Sequence, residues 1–261
     1  MGKHLRRGYI YFVLLLLFLP IFILVAFSFN ESKLNVIFTG FTFSWYARLF
    51  ANPDLLEAFK NTALIALLST AISTVLGTIS AVGLRKFKFK GSAIIDKLIY
   101  IPIVIPEIVL GISLLSVFTL AQLELSFWTV LLAHISFSVP FVITSVRSTL
   151  YALPRNTEEA AEDLGANKWQ IFFKVTLPLI MPGVVSGALL AFTLSLDDVV
   201  ISYFAAGPGT NTLPLYIYAN IKTGISPDVN ALTSLMLIFT IIVLTITAHF
   251  QSKRIAARSK L

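Results

Sequence analysis

The sequence predicts an all-α polytopic membrane protein with six transmembrane helices, and three observations support this prediction. Hydrophobic residues make up 57% of the 261-residue chain, and the mean hydropathy is +0.86. Only 13% of the residues are charged, which is too few to cover the surface of a soluble domain of this length. Six apolar runs are each long enough to cross a bilayer as a helix, which satisfies its own backbone hydrogen bonds.

The first apolar run, residues 9–29, follows the basic residues Lys3, Arg6 and Arg7. It is too long for the core of a signal peptide, and no small-x-small cleavage site follows it, so we interpret it as the first span. The other spans lie at about residues 61–84, 98–122, 127–150, 183–204 and 229–250, and a polar loop at 151–182 separates the fourth from the fifth. We expect one transmembrane domain over residues 1–261.

The distribution of basic residues predicts the orientation of these spans. Sixteen of the twenty Lys and Arg residues fall in the N-terminus, residues 85–97, residues 147–178 and the C-terminal tail. The other side has four, which are Lys33, Arg48, Lys60 and Lys222. Because short cytoplasmic loops are rich in Lys and Arg, both termini and the loop at 151–182 are predicted to be cytoplasmic.

The polar stretch from Pro154 to Pro182, called the elbow below, stands out because apolar spans flank it on both sides. Four of the thirteen acidic residues of the chain lie within residues 158–163. Gly165 is placed to end one short helix in the left-handed conformation, and Asn167 is placed to cap a second. Leu177-Pro178 is expected to stop the second helix. A polar helical segment of this kind projects into water or meets a soluble partner.

Three acidic residues fall inside predicted spans: Glu107, Asp197 and Asp198. A continuous helix would place Glu107 roughly 14 Å and Asp197 roughly 21 Å from the cytoplasmic ends of their spans. Buried charges are costly in lipid and therefore mark a substrate path in many membrane proteins. No Lys or Arg lies well inside a span, so the path is predicted to carry a cation. The alternatives are that the Asp pair caps a helix break and that Glu107 meets a partner subunit.

Polar and aromatic residues near these acids are further candidates for the substrate path. Ser195 adds an oxygen on the turn that precedes Asp197, and the neighbouring aspartates are expected to point about 100° apart on a helix. Trp45 and Tyr46 could contact an amine through their rings, although aromatic residues of this kind more often anchor a membrane interface. His134 is expected to be a hydrogen-bonded helix contact, with Ser136 and Ser138 as partners, rather than a proton relay.

The elbow resembles the EAA loop of ABC-importer permease subunits, whose pattern is EAA–x3–G–x9–I–x–LP. The matching residues are Glu159, Ala160, Ala161, Gly165, Leu177 and Pro178, with Val175 in place of the usual Ile. The resemblance implies that these residues form a coupling helix, which docks into a groove on a cytoplasmic ATPase. An interfacial amphipathic helix is the alternative, but such a helix is usually basic on its polar face and this one is acidic.

The chain is also similar over nearly its whole length to the PotC-type permease subunits of spermidine/putrescine importers. The segments GFTFSWY (40–46), IPEIV (105–109), EEAAEDLGA (158–166), FTLSLDDVVIS (192–202) and GISPDVNAL (224–232) carry the similarity. It implies a type I ABC-importer (MetI-like) permease fold in the inner membrane of a bacterium. The implied partners are a second permease subunit, two cytoplasmic ATPase subunits and an extracytoplasmic polyamine-binding protein.

Several other classes of protein are disfavoured by what the chain lacks. It has no G-x-x-x-x-G-K-[ST] phosphate loop, so we expect no cofactor in this chain and expect the partner ATPase to bind ATP-Mg. The absence of HExxH and GxSxG motifs and of cysteine disfavours an enzyme. An importer for another small cation and an ion-coupled secondary transporter remain as alternatives.

Overall fold

A computed structural model describes residues 3–32, 37–87, 90–154, 156–220 and 227–258. Regular secondary structure in these ranges is helical. The helices are α1 Lys3–Phe27, α2 Ser44–Leu49, α3 Pro53–Lys86, α4 Ser92–Val104, α5 Glu107–Leu120, α6 Phe127–Ala152, α7 Asn156–Asp163, α8 Lys168–Gln170, α9 Leu177–Asp197, α10 Val200–Ala205, α11 Leu213–Asn220 and α12 Pro227–Arg258. A π-helical segment, Ile171–Thr176, joins α8 to α9. The basic residues Lys33, Lys88, Arg155, Lys222 and Lys260 and positions 224–226 of the GISPDVNAL segment lie outside the described residues.

The chain forms two compact units, one of Met1–Leu56 with Ile217–Leu261 and one of Glu57–Tyr216. In the first unit α12 packs against α1 and α2. In the second, α6 is the central helix and packs against α4, α5, α9 and α10. The expectation of one transmembrane domain stays a prediction.

Four helical stretches are long and apolar enough to cross a membrane, and they coincide with the first, second, fourth and fifth predicted spans. They are Arg6–Phe27, Pro53–Lys86, Phe127–Ala152 and Lys168–Asp197. Helices α4 and α5 are long and apolar enough only as a pair, which is bent by 112° at the break between them. The sixth predicted span, residues 229–250, lies within α12.

The third predicted span is not a continuous helix. α4 and α5 meet at 112°, because Pro106 forces Ile105 into an extended conformation (ψ 135°) and ends α4. Glu107 is consequently the first residue of α5. The predicted depth of Glu107, which assumed an unbroken rise along one helix, was therefore wrong.

Close packing between α6 and α9 holds the centre of the second unit together. Gly183 and Gly187 of α9 lie against α6, where a Cβ at Gly187 would be 3.1 Å from the Val142 Cα. The Ser145 hydroxyl donates to the Gly183 carbonyl at 3.1 Å. Small residues allow helices to approach closely in lipid, so these glycines determine how near α9 comes to α6.

We predict that Gly183→Ala lowers the free energy of unfolding of the protein by about 1–3 kcal/mol, because the added methyl group overpacks the contact between α9 and α6. It would lie 3.0 Å from the Ser145 carbonyl oxygen and closer still to Thr149. The measurement is thermal unfolding of the reconstituted protein. Gly83→Ala is the control, since nothing lies within 4 Å of a Cβ built there. Equal stability of the two variants would contradict the prediction.

Candidate functional site

The elbow contains the two short helices that the sequence predicts. Gly165 follows α7 with a φ of 81°, the left-handed conformation that favours glycine. Asn167 caps α8, because its side chain accepts from the Gln170 backbone N–H at 2.9 Å and the Gln170 side chain accepts from the Asn167 N–H at 2.9 Å. The predictions for Gly165 and Asn167 are therefore confirmed.

The expected helix stop at Leu177-Pro178 was wrong. The helical path continues from Lys168 to Asp197 as one long stretch that includes both residues. Before Pro178 the turn widens into the π-helical segment, in which the Leu177 N–H donates to the Phe172 carbonyl five residues earlier. Pro178 sits in the first turn of α9. The elbow is thus continuous with a membrane-spanning helix, so a displacement of one moves the other.

Glu158 fastens α7 to the end of α3 and to the π-helical segment. Its carboxylate lies 3.1 Å from the Lys86 Nζ and accepts from the Thr176 hydroxyl at 2.6 Å. Burial alone would raise the pKa of Glu158, but the hydrogen bond from Thr176 and the pairing with Lys86 outweigh it and hold this pKa below its ordinary value. Glu158 therefore anchors α7 in its ionised form, as a carboxylate.

The EAA residues follow Glu158 on the same helix, α7. Glu159 and Ala160 are exposed and Ala161 is half-buried. Beyond them, Leu164 is 89% exposed and Trp169 is 74% exposed, with the Trp169 ring stacked on Phe173 at 6.0 Å. This surface combines carboxylates with large apolar side chains outside the six spans predicted from the sequence, so it is suited to a protein partner.

All three acids predicted from the spans line one cavity of about 250 Å³ in the second unit. Glu107 enters it from the first turn of α5, and Asp197 and Asp198 enter it from the break after α9. The other lining residues are Phe137, Leu194, Val199 and Val200. The bend at Pro106 and the break after α9 therefore bring together acids that are 90 residues apart in sequence.

The fifth span is broken at the aspartate pair, so the expected 100° separation along one helix was wrong. α9 ends at Asp197, Asp198 is extended with a ψ of 124°, and α10 begins at Val200. Asp197 is exposed toward the cavity side, whereas Asp198 is 9% exposed. The Asp198 carboxylate accepts from the backbone N–H groups of Ile201 and Ser202, which is the helix-capping role left open above.

Ser195 and His134 lie beside this cavity but are not among its lining residues. Ser195 is buried, with its hydroxyl 2.7 Å from the His134 Nδ1 and 3.0 Å from the Ser69 hydroxyl. His134 is a hydrogen-bonded helix contact, as predicted. Its partners are Ser195 and Ser202, however, and the expectation of Ser136 and Ser138 was wrong, because the Ser136 hydroxyl bonds its own helix at Leu132.

Trp45 and Tyr46 belong to the first unit, and both make contacts within it. The Trp45 indole donates to the Asn30 carbonyl at 2.6 Å, and the Arg48 guanidinium lies 4.9 Å from its ring. The Tyr46 hydroxyl is 2.8 Å from the Ser28 hydroxyl. These contacts stabilise the segment before α3, and a place for either residue on the substrate path stays a prediction.

Sequence reasoning missed the residues that hold the acids in place. Lys86 was considered only in the count of basic residues at 85–97, and Thr176 falls at a variable position of the EAA pattern. Ser202 lies four residues after Asp198, a spacing that could have indicated a capped helix start. Ser69 could not have been found, because it is 126 residues from Ser195 in the chain.

Comparison with solved structures identifies the fold as that of type I ABC-importer (MetI-like) permeases. A bacterial ABC transporter involved in the import of the acidic polysaccharide alginate matches with a TM-score of 0.69 and 18% identity, covering 97% of this chain and 98% of that one. The MetNI methionine ABC transporter matches with a TM-score of 0.62 and 19% identity, covering 75% of this chain and 94% of that one.

Residues 73–260 match the family described as "Binding-protein-dependent transport system inner membrane component". The spermidine/putrescine transport system permease protein PotC of Escherichia coli strain K12 is 40% identical over 241 residues, covering 92% of this chain and 91% of that protein. The chain therefore belongs to this family of inner-membrane permeases. It is a multi-pass membrane protein and a transport subunit rather than an enzyme.

We predict that Glu158→Gln destabilises the elbow by roughly 0.5–1 kcal/mol at neutral pH, because it removes the pairing with Lys86. The folded-state pKa of Glu158 lies below its ordinary value of 4.5, so the carboxylate contributes stability above about that pH. This contribution is lost as the pH falls through the lower, folded-state pKa. The measurement is the unfolding midpoint of both proteins across this pH range, with exposed Glu162→Gln as control. A difference from wild type that persists in strong acid would contradict it.

Proposed function

We propose that this chain is one transmembrane subunit of an ATP-driven importer that moves polyamines, spermidine or putrescine, into the cytoplasm. The observation that supports this most directly is the cavity with three carboxylates, at helix breaks in the membrane-spanning part of the second unit. Among its described lining residues there is no Lys or Arg. Such a cavity attracts a cation and repels an anion.

The apolar lining favours an aliphatic cation over a bare metal ion. Phe137, Leu194, Val199 and Val200 share the cavity with the acids. A polyamine alternates ammonium groups with methylene segments, so carboxylates can pair with the first while apolar walls contact the second. Exposed carboxylates such as those of Glu107 and Asp197 bind weakly enough to release the cargo, which transport requires.

The fold alone does not decide the cargo, because one structural neighbour takes part in the import of an acidic polysaccharide. The relative at 40% identity has spermidine and putrescine in its name, and the acidic cavity agrees with a cationic cargo. Another small cation is the alternative. The test measures uptake of labelled spermidine into proteoliposomes in the presence of unlabelled putrescine, thiamine or sulfate. It distinguishes a polyamine cargo from another small cation, and failure of polyamines to compete would refute the polyamine proposal.

For coupling, we propose that the elbow docks on a cytoplasmic ATPase that binds ATP-Mg. Glu159, Ala160 and Ala161 would lie at this contact, and Gly165 would set the angle between α7 and α8. Leu177 and Pro178 lie where the elbow continues into α9, so movement of the ATPase would be passed to the helix that ends at Asp197.

The assembly that we propose contains a second, related permease subunit, two ATPase subunits and an extracytoplasmic polyamine-binding protein. Both termini and the elbow face the cytoplasm, because sixteen of the twenty basic residues fall on that side. The substrate path includes Glu107, Asp197 and Asp198, with Ser195, Trp45 and Tyr46 as further candidates.

We predict that Asp197→Asn and Glu107→Gln each lower spermidine uptake by about tenfold, because each removes one charge from the cavity. The measurement is initial uptake rate into proteoliposomes that hold the whole complex, at equal amounts of assembled protein. Glu124→Gln is the control, because Glu124 is an exposed acid in the turn after α5. Uptake at the wild-type rate in both cavity variants would remove these acids from the path.

We also predict that Gly165→Val abolishes stimulation of the ATPase by loaded binding protein while insertion into the membrane is retained. A β-branched residue is strained at a φ of 81°, so the start of α8 would shift. Glu159→Lys should have the same effect by reversing a charge at the docking surface. Exposed Glu162→Gln serves as the matched control, and full stimulation in the Gly165 and Glu159 variants would defeat the coupling proposal.

A further inference from the structure

A buried polar cluster lies behind the acidic cavity and connects four helices of the second unit. His134 of α6 is 1% exposed, and both of its ring nitrogens are engaged. The Nδ1 lies 2.7 Å from the Ser195 hydroxyl of α9, and the Nε2 lies 3.0 Å from the Ser202 hydroxyl of α10. Ser69 of α3 extends the cluster through its 3.0 Å bond to Ser195.

Asp198 belongs to this cluster as much as to the cavity. Its Oδ2 lies 3.4 Å from the His134 Nε2 and accepts from the Ser202 backbone N–H at 2.7 Å. Its Oδ1 accepts from the Ile201 backbone N–H at 3.1 Å. Both oxygens therefore accept from backbone N–H groups of α10, Oδ2 also lies against the imidazole of α6, and the side chain is only 4% exposed.

The two other acids of the cavity differ from Asp198 in exposure and in pairing. Asp197 and Glu107 are both exposed. Within the described ranges, neither carboxylate forms an ion pair with another side chain. A cation that enters the cavity can therefore reach these two carboxylates without breaking an ion pair, whereas at Asp198 it would have to compete with His134 and with the backbone N–H groups of Ile201 and Ser202.

We propose that His134 and Asp198 act together as positioning residues, which fix the break between α9 and α10 and so orient the cavity wall, while Glu107 and Asp197 contact the cargo. The proposal rests on the cargo path given under the proposed function and assigns different tasks to its acids. It rests on geometry: a buried carboxylate is stable only when polar partners surround it, and His134, 3.4 Å from Oδ2, is the partner that comes from outside the broken span.

A double-mutant cycle on uptake tests whether His134 acts through Asp198. We expect His134→Leu and Asp198→Asn each to lower spermidine uptake by about tenfold, the effect of losing a hydrogen bond to a buried charge. In the Asp198→Asn background, His134→Leu should then lower uptake by no more than about twofold, because coupled residues are not additive. Losses that multiply would overturn the proposal.

Rescue and a matched control separate this role from packing. His134→Gln retains an amide donor and should recover most of the uptake that His134→Leu loses. Ser136→Ala on the exposed side of α6 should match wild type. If the His134→Leu complex does not assemble, His134→Ala replaces it in the cycle under the same criteria. A Gln variant as inactive as the Leu variant would count against the proposal.

A second measurement needs no cargo, so it remains valid if the polyamine proposal fails. The chain has no cysteine, so Val200→Cys places a single thiol of this chain in the cavity wall. In this background His134→Leu and Asp198→Asn should change the labelling rate by uncharged N-ethylmaleimide equally and not additively. Asp197→Asn, which removes an exposed charge, should leave the rate within about twofold. An unchanged rate in the Asp198→Asn variant would overturn the proposal.

Discussion

The break between α9 and α10 depends on hydrogen-bond partners for one buried carboxylate, that of Asp198, which lies among the membrane spans. A span can be interrupted there only if the freed backbone groups and the charge both find partners, because lipid offers none. Asp198 accepts from two backbone N–H groups of α10 and lies 3.4 Å from His134. Its partners come from two helices, so the interruption is held by tertiary contacts as well as by local sequence.

The same break determines the chemistry of the cavity. The break makes Asp197 the last residue of α9, and the bend at Pro106 makes Glu107 the first residue of α5. Both acids are therefore at helix ends, where the backbone is irregular and a cavity of about 250 Å³ can form. Irregular backbone at membrane depth is tolerated where it lines such a cavity, which is the arrangement expected of a substrate path.

The elbow and the acidic cavity are two ends of one helical element. α9 runs from the π-helical segment at the elbow to Asp197, and its glycines lie tightly against α6. No loop separates the elbow from the cavity wall, because the helical path is continuous from Lys168 to Asp197. The anchoring of Glu158 by Lys86 and Thr176 ties the same elbow to α3.

The sequence by itself determined the helical class, the positions of the spans, the elbow and the three acids. Each of these follows from local composition or from spacing along one segment, as Gly165 and Asn167 illustrate. The tertiary structure decided the 112° bend, the continuity of the helix through Pro178 and the partners of His134 and Asp198. The partners of His134 and Asp198 depend on contacts between residues that are distant in the chain, and one sequence carries no signal of such contacts. The other two features are local, but a proline can bend a helix, end it or sit in its first turn, so Pro106 and Pro178 alone did not decide between these outcomes.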